Sequence, residues 1–247
     1  MRLAGIVEIR DDRARQWRVA RREIARGGMV GFLDALAMRG YAWLRWRKAE
    51  RAWADREVER LRERYRVALE RIPRVVVSDP NSERSRSWIA GLVPDLIVAR
   101  CKFILKPEVF ELARAGTFAL HPGICPEYRN AHGCFWALAN RDLDRVGMTL
   151  LRIDRGVDTG PVVLHATRPF DEVRESHTLI QHRMVFENLD RIGDALIRAT
   201  APFGSEPIDV TGRASAVWGQ PRLTAYLRWK RAARRGQRWR QHVPLIP

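Results

Sequence analysis

Two residues of this chain sit where a reactive side chain is easiest to present. His121 ends the apolar run of "FALHPG" and is followed at once by Pro122, while Asp158 lies in "RGVDTGP", a loop with Gly156, Gly160 and Pro161 around it. The carboxyl end of a strand is where open α/β sheets place their ligands. A carboxylate within reach of such a histidine can hold its tautomer, balance its charge and share in moving a proton. Taken singly, the histidine also describes an ordinary strand exit and the aspartate a solvated turn. The three cysteines, Cys101, Cys125 and Cys134, show no zinc-ligand spacing and no even framework, so metal ligands are not expected and a reduced, cytoplasmic setting is. "RGGMVG" at 26–31 carries neither a dinucleotide-binding glycine pattern nor a P-loop.

The elements that must position His121 and Asp158 can be read from hydrophobic period and breakers. A strand is expected at 3–9, then an arginine-dense helix over 11–26, broken by "GGMVG", and a second helical stretch over 32–71 with Leu33, Leu36, Tyr41, Leu44 and Trp53 as its inner stripe. After a short strand at 75–77 and a helix at 83–91, the alternation becomes regular. "PDLIVAR" (94–100) reads as a buried strand and "KPEVFELARAG" (106–116) as a helix with proline in its first turn. "TFAL" is the next strand, 131–140 a helix, and "GMTLLRI" and "GPVVLHATRPF" two further strands. Ser176 caps a long helix. Strands alternating with helices imply an α/β protein with a mainly parallel sheet and flanking helices. The expected organisation is a domain over 1–202, with a basic helical insert at 11–71, and an irregular basic extension over 203–247.

The net charge of +16 comes from 45 basic and 29 acidic residues. Such a field favours anionic ligands, whether nucleic acid, phosphorylated small molecules or acidic lipid, although basic residues spread over several segments also describe solvated surface. Residues 221–247 hold no acid, and "RLTAYLRWKRAARRGQRWRQ" interleaves Trp229 and Trp239 with arginines. That mixture suits phosphates and base stacking, an anionic membrane surface, or simply a basic amphipathic surface helix or frayed terminus that adds little to the core. No run reaches the roughly 18 apolar residues of a membrane span.

Three ordered blocks, "PDLIVARCKFILKPEVF", "HPGICPEYRNAHGCFWAL" and "GMTLLRIDRGVDTGPVV", together resemble the formyltransferase catalytic domain shared by glycinamide ribonucleotide, methionyl-tRNA and sugar-nucleotide N-formyltransferases. The resemblance is continuous over about 94–168 and implies a Rossmann-like fold. It also implies transfer of a formyl group from 10-formyltetrahydrofolate to an amine. On it, His121 is the histidine of an Asn-X-His motif and Asp158 its partner aspartate. It further implies folate contacts at Phe103, Ile104 and Leu105 and at Asp154, Val157 and Gly160, the apolar members of which equally suit plain core packing. His132 fits a Tyr-Arg-X-X-His variant of purine-pathway members, or is a surface helix histidine. The acceptor implied is a small sugar- or ribonucleotide-type amine; nucleic acid is a less favoured partner.

Two departures stand out. Ala119-Leu120-His121 lacks the motif asparagine, and loss of one such oxyanion donor costs on the order of 10²–10³ in rate. Asn130 or backbone N–H groups after His121 are the available substitutes. The sequence from Met1 also opens on what resembles the family's second strand, so the first strand is missing and Met1 need not be the true start. The alternative is therefore a relative that binds folate or nucleotide with little or no turnover.

Overall fold

The computed structural model describes residues 2–10, 13–66, 68–201 and 206–242. The expected boundary at 202–203 and the last five residues lie outside them. β1 (Ile6–Ile9) leads into a long helix α1 (Arg13–Tyr65), then β2 (Arg74–Val77), α2 (Glu83–Leu92), β3 (Leu96–Ala99), α3 (Pro107–Phe110) and β4 (Gly116–His121). β5 (Arg129–Asn130), α4 (Gly133–Ala139), β6 (Met148–Arg152) and β7 (Val162–Ala166) follow, and α5 (His177–Phe186), α6 (Leu189–Thr200), β8 (Val217–Trp218) and α7 (Leu223–His242) complete the chain.

The α/β class holds, and three of the five strand pairings among the described residues are parallel. The central sheet has the order β3-β4-β6-β7. β3 and β4 run parallel, whereas β6 and β7 form an antiparallel pair beside them. β1 pairs with β2 and β5 with β8 in two short parallel ladders. Apolar side chains of β4, α4, β6 and α5, among them Phe118, Phe135, Leu138, Met148, Leu150, Ile180 and Met184, close the core.

Local signals account for several boundaries. Ser176 accepts from the Leu179 N–H at 3.0 Å and caps α5, and Lys106 precedes Pro107 at the start of α3. α3 stops after one turn, so the helix expected over 106–116 is mostly turn. The long helix after Ser176 is two helices with Asn188 at the break. In α1 only Gly28 leaves helical geometry, at φ 66° and ψ −177°, a conformation open to glycine alone.

Two expectations are overturned. The inner face of α1 is formed by Ala35, Met38, Tyr41, Ala42, Trp46 and Trp53, whereas Leu33, Leu36 and Leu44 point outward. The apolar residues of α1 occupy both faces, so composition could not set the phase. The described part of the extension is also neither irregular nor outside the core: α7 packs on α1 and α4, with Ala225, Tyr226, Trp229 and Ala233 buried and Trp229 only 1% exposed. The Trp46 Nε1–H donates to the Tyr226 hydroxyl at 2.8 Å, and Lys230 Nζ donates to the carbonyls of Glu172 and Glu175 at 2.6 and 2.5 Å. A sequence rich in arginine reads as surface because the aromatic face needs a partner 180 residues away to be recognised as core.

Candidate active site

β4 ends at His121, and the chain then folds back on itself. Gly123 and Gly133 make this possible: a Cβ on Gly123 would lie 2.7 Å from the Cα of Gly133, so only two glycines allow the backbones to meet. The Cys134 N–H closes the loop on the Pro122 carbonyl at 3.0 Å. Thr149 on β6 donates to the Gly123 carbonyl at 2.7 Å and accepts from the Cys125 N–H at 3.0 Å. His121 is thereby set in a rigid corner, 5% exposed.

Asp158 reaches that corner by an indirect route. β6 runs antiparallel to β4, so Arg152 lies beside Phe118 and the Ile153 N–H bonds the Thr117 carbonyl. Loop 153–161 therefore leaves the sheet near the opposite end of β4 and must return along it. Arg129 Nη1 donates to the Val157 carbonyl at 3.1 Å, and the Asn130 N–H donates to Asp158 Oδ2 at 2.7 Å, drawing the loop back to β5. Asp158 takes a left-handed φ of 52° and Asn130 one of 77°, conformations that Asp and Asn tolerate better than most residues. Asp158 Oδ2 then stands 3.3 Å from His121 Nδ1. The other ring nitrogen, Nε2, lies 2.6 Å from the Tyr128 carbonyl, to which it donates. Both nitrogens of His121 thus face acceptors, one a backbone carbonyl and one a carboxylate.

The remaining expected residues fall into two groups. Asp154 turns into its own loop, where Oδ1 accepts from the Gly156 N–H at 2.9 Å and from Thr159 Oγ1 at 2.8 Å. The Val157 carbonyl is engaged by Arg129, and Gly160 is packed so closely on the Arg152 carbonyl that a side chain there would collide with it. Phe103, Ile104 and Leu105 lie after β3, at the edge where β4 also ends, since Ala99 and Ala119 are paired. Asn81 holds this loop by donating to the Ile104 carbonyl at 3.1 Å and accepting from the Lys106 N–H at 2.8 Å. Phe103 and Leu105 are partly buried, and Ile104 is exposed. The two loops have separate anchors, Asn81 for one and Arg129 and Asn130 for the other.

The side-chain substitute for the absent amide is engaged elsewhere. Ala119 shares a sheet face with His121 but carries only a methyl group. Asn130 donates its side-chain amide to the Trp218 carbonyl at 2.5 Å. Cys125 is no nucleophile, because burial, with the Asp158 charge adding, pushes its thiol up to about 12. His132, at the left-handed N-cap of α4, is pushed down to about 4 by burial first and by Lys102 second. It faces His177 at a ring separation of 6.4 Å; burial pushes His177 down to about 3, and its Nδ1 has no hydrogen-bond partner. Sequence reasoning missed Asn81, Thr149 and the Tyr128 carbonyl. The first two are polar residues outside any motif, and the third is a backbone group that no residue type reveals.

Residues 57–196 match the family model described as formyl transferase. The methionyl-tRNA formyltransferase of Chlorobium chlorochromatii (strain CaD3) is 33% identical over 132 residues, covering 51% of this chain and 41% of that protein. The chain thus spans less than half the length of this curated relative. A sugar N-formyltransferase from Shewanella sp FDAARGOS_354 superposes with a TM-score of 0.48 at 18% identity, over 63% of this chain and 67% of that one. HypX from Aquifex aeolicus in complex with tetrahydrofolic acid gives 0.49 at 22% identity, over 66% and 30%.

Proposed function

The chain belongs to the formyl transferase family, and from that premise we propose that it transfers a formyl group from 10-formyltetrahydrofolate to a primary amine on a small sugar- or ribonucleotide-type acceptor. The catalytic domain on this reading runs over 1–202 with its basic helical insert at 11–71. The observation that carries it is the 3.3 Å approach of Asp158 Oδ2 to His121 Nδ1 at the end of a parallel strand. The acceptor nitrogen attacks the formyl carbon, the bond from that carbon to the folate nitrogen breaks, and the proton lost by the amine ends on the folate nitrogen that leaves. Asp158 is suited to take that proton, and the imidazole beside it shares and stabilises the charge. The carboxylate is already oriented by the Asn130 N–H, so little reorganisation is needed when it acts.

The residues around the corner fit the folate in kind. Ile104, with Phe103 and Leu105, offers an apolar wall on one side of the strand end. On the other side, the loop containing Asp154, Val157 and Gly160 supplies polar backbone, although the Val157 carbonyl and Asp154 Oδ1 are already engaged. The donor brings the reactive carbon; the chain's part is to orient it and to manage the proton. Three free cysteines suit placing this chemistry in the reducing cytoplasm.

A second reading is favoured by one observation. The Asn130 side-chain amide is turned to the Trp218 carbonyl, and both nitrogens of His121 are already occupied, which suits a relative that binds folate or nucleotide with little turnover. One experiment separates the two: formyl transfer assayed over a panel of amino-sugar nucleotides and glycinamide ribonucleotide, beside tetrahydrofolate binding by calorimetry. Transfer that His121→Ala removes without removing binding supports the enzyme. Binding with no transfer to any acceptor supports the second reading, and absence of both overturns the two together.

A further inference from the structure

α1 is held to the body along one side only. Tyr41 and Trp46 meet Tyr226, Asp34 accepts from the N–H and hydroxyl of Thr224, and Trp53 packs on Phe186. These contacts fix the rotation of the helix and so define which residues point away. Met29, Leu33, Leu36, Gly40 and Trp43 recur at alternating intervals of four and three, and Val30, Ala37 and Leu44 at intervals of seven, so all eight share one sector of the helix. All are exposed; Val30 is 81% and Leu44 78% accessible. The result is a continuous apolar strip over residues 29–44, about 22 Å long at 1.5 Å per residue.

The charges around the strip are of one sign. Between residues 13 and 51 there are three acids, Glu23, Asp34 and Glu50, and each is turned inward: Glu23 accepts from the Gln220 N–H, Asp34 from Thr224, and Glu50 from the Ser176 hydroxyl. The exposed charged residues of the same stretch are all basic. Arg18, Arg21, Arg22 and Arg26 precede the strip, Arg39 flanks it, and Arg45, Arg47, Lys48 and Arg51 follow it. The Arg47 guanidinium rests 5.2 Å from the ring centre of Trp43, an indole and a cation at the same end of the strip.

We propose that residues 29–44 of α1 dock in the plane of an anionic lipid surface. The apolar strip enters the acyl boundary, and the flanking arginines and lysine take the headgroup phosphates. A second copy of the chain fits less well. Packing strip on strip brings the basic residues at 18–26, 39 and 45–51 of the two copies together, with Asp55 the nearest exposed acid among the described residues of α1. Nucleic acid would meet the arginines but leave Val30, Leu33, Leu36, Trp43 and Leu44 in water. The kink at Gly28 lets the preceding arginine-rich leg follow the surface at its own angle.

The test uses the full-length chain, vesicles of phosphatidylcholine with and without about one third phosphatidylglycerol, and the double substitution Val30→Glu/Leu44→Glu. These two side chains are solvated, so folding is checked by an unchanged cooperative melt. The proposal expects sedimentation with the anionic vesicles and at least tenfold weaker binding to neutral ones. The double substitution should weaken anionic binding at least tenfold, and Arg47→Gln/Arg51→Gln should weaken it less and reduce its salt dependence. Absence of binding to anionic vesicles overturns the proposal. Binding untouched by the double substitution also overturns it, since the charge alone would then be responsible. A lipid-free oligomer that the double substitution dissolves overturns it in favour of a second copy of the chain.

Discussion

Two histidine settings of this molecule differ in the partners that meet their ring nitrogens. His121 has a carboxylate on one ring nitrogen and a carbonyl on the other, whereas His132 and His177 face each other and aromatic rings, with no acid. Burial is common to both. In the second setting burial outweighs the hydrogen bond between Gln220 and His132, and both imidazoles are held well below their ordinary range. What sets His121 apart is the carboxylate brought back by loop 153–161, and the proposed proton transfer rests on it.

The sharpest way to break this contrast is to exchange the two. On the proposed function, His121→Ala lowers formyl transfer by about three orders of magnitude, and Asp158→Asn acts in the same direction, whereas His177→Phe leaves the rate within about threefold. Equal losses at His121 and His177, measured on one accepted amine, would show that the distinction is wrong. Next in size is Trp229→Ala. Trp229 stacks edge-on against Tyr226, which in turn covers His177, so the substitution opens the His177 setting from behind. A loss of about 3–5 kcal/mol is expected in denaturant unfolding.

Ala119→Asn tests what the corner around His121 lacks on the proposed function. An amide two residues before His121 points to the same face, and turnover should rise by up to about two orders of magnitude. A neutral or harmful result in a steady-state assay would mean that the corner is already complete without it.

The smallest effect is thermodynamic. His177 takes up a proton more readily unfolded than folded, so its contribution to stability is fully present above about pH 6.5 and is lost as the pH falls toward about 3. Between pH 6.5 and 5 the loss is about 1–2 kcal/mol. Unfolding midpoints followed over this range should show a slope that His177→Phe flattens.

Much of the corner formed by His121 and Asp158 was legible beforehand because its signals are local. An apolar run ending on His-Pro, an aspartate between glycines and a serine before a helix each state their own geometry. The phase of α1 and the burial of α7 were not legible. Leu33 and Leu44 are no less apolar than Met38, and only the position of Tyr226 decides which of them is covered. The route of loop 153–161 was likewise hidden, since nothing in "RIDRGVDTG" says that Arg129 and Asn130 will pull it back along the strand.

The bond between Trp46 and Tyr226 has one more consequence, for the timing of synthesis. These partners are 180 residues apart, so the part of the inner face around Trp46 has no cover from Tyr226 until α7 has been made. At about 5–20 residues per second, roughly ten to forty seconds pass between the two. During that interval the aromatic stretch around Tyr41 and Trp46 is uncovered on the nascent chain, and closure of the core there waits on α7. Holding such a chain apart from its neighbours until then is a task for the ribosome surface and for chaperones.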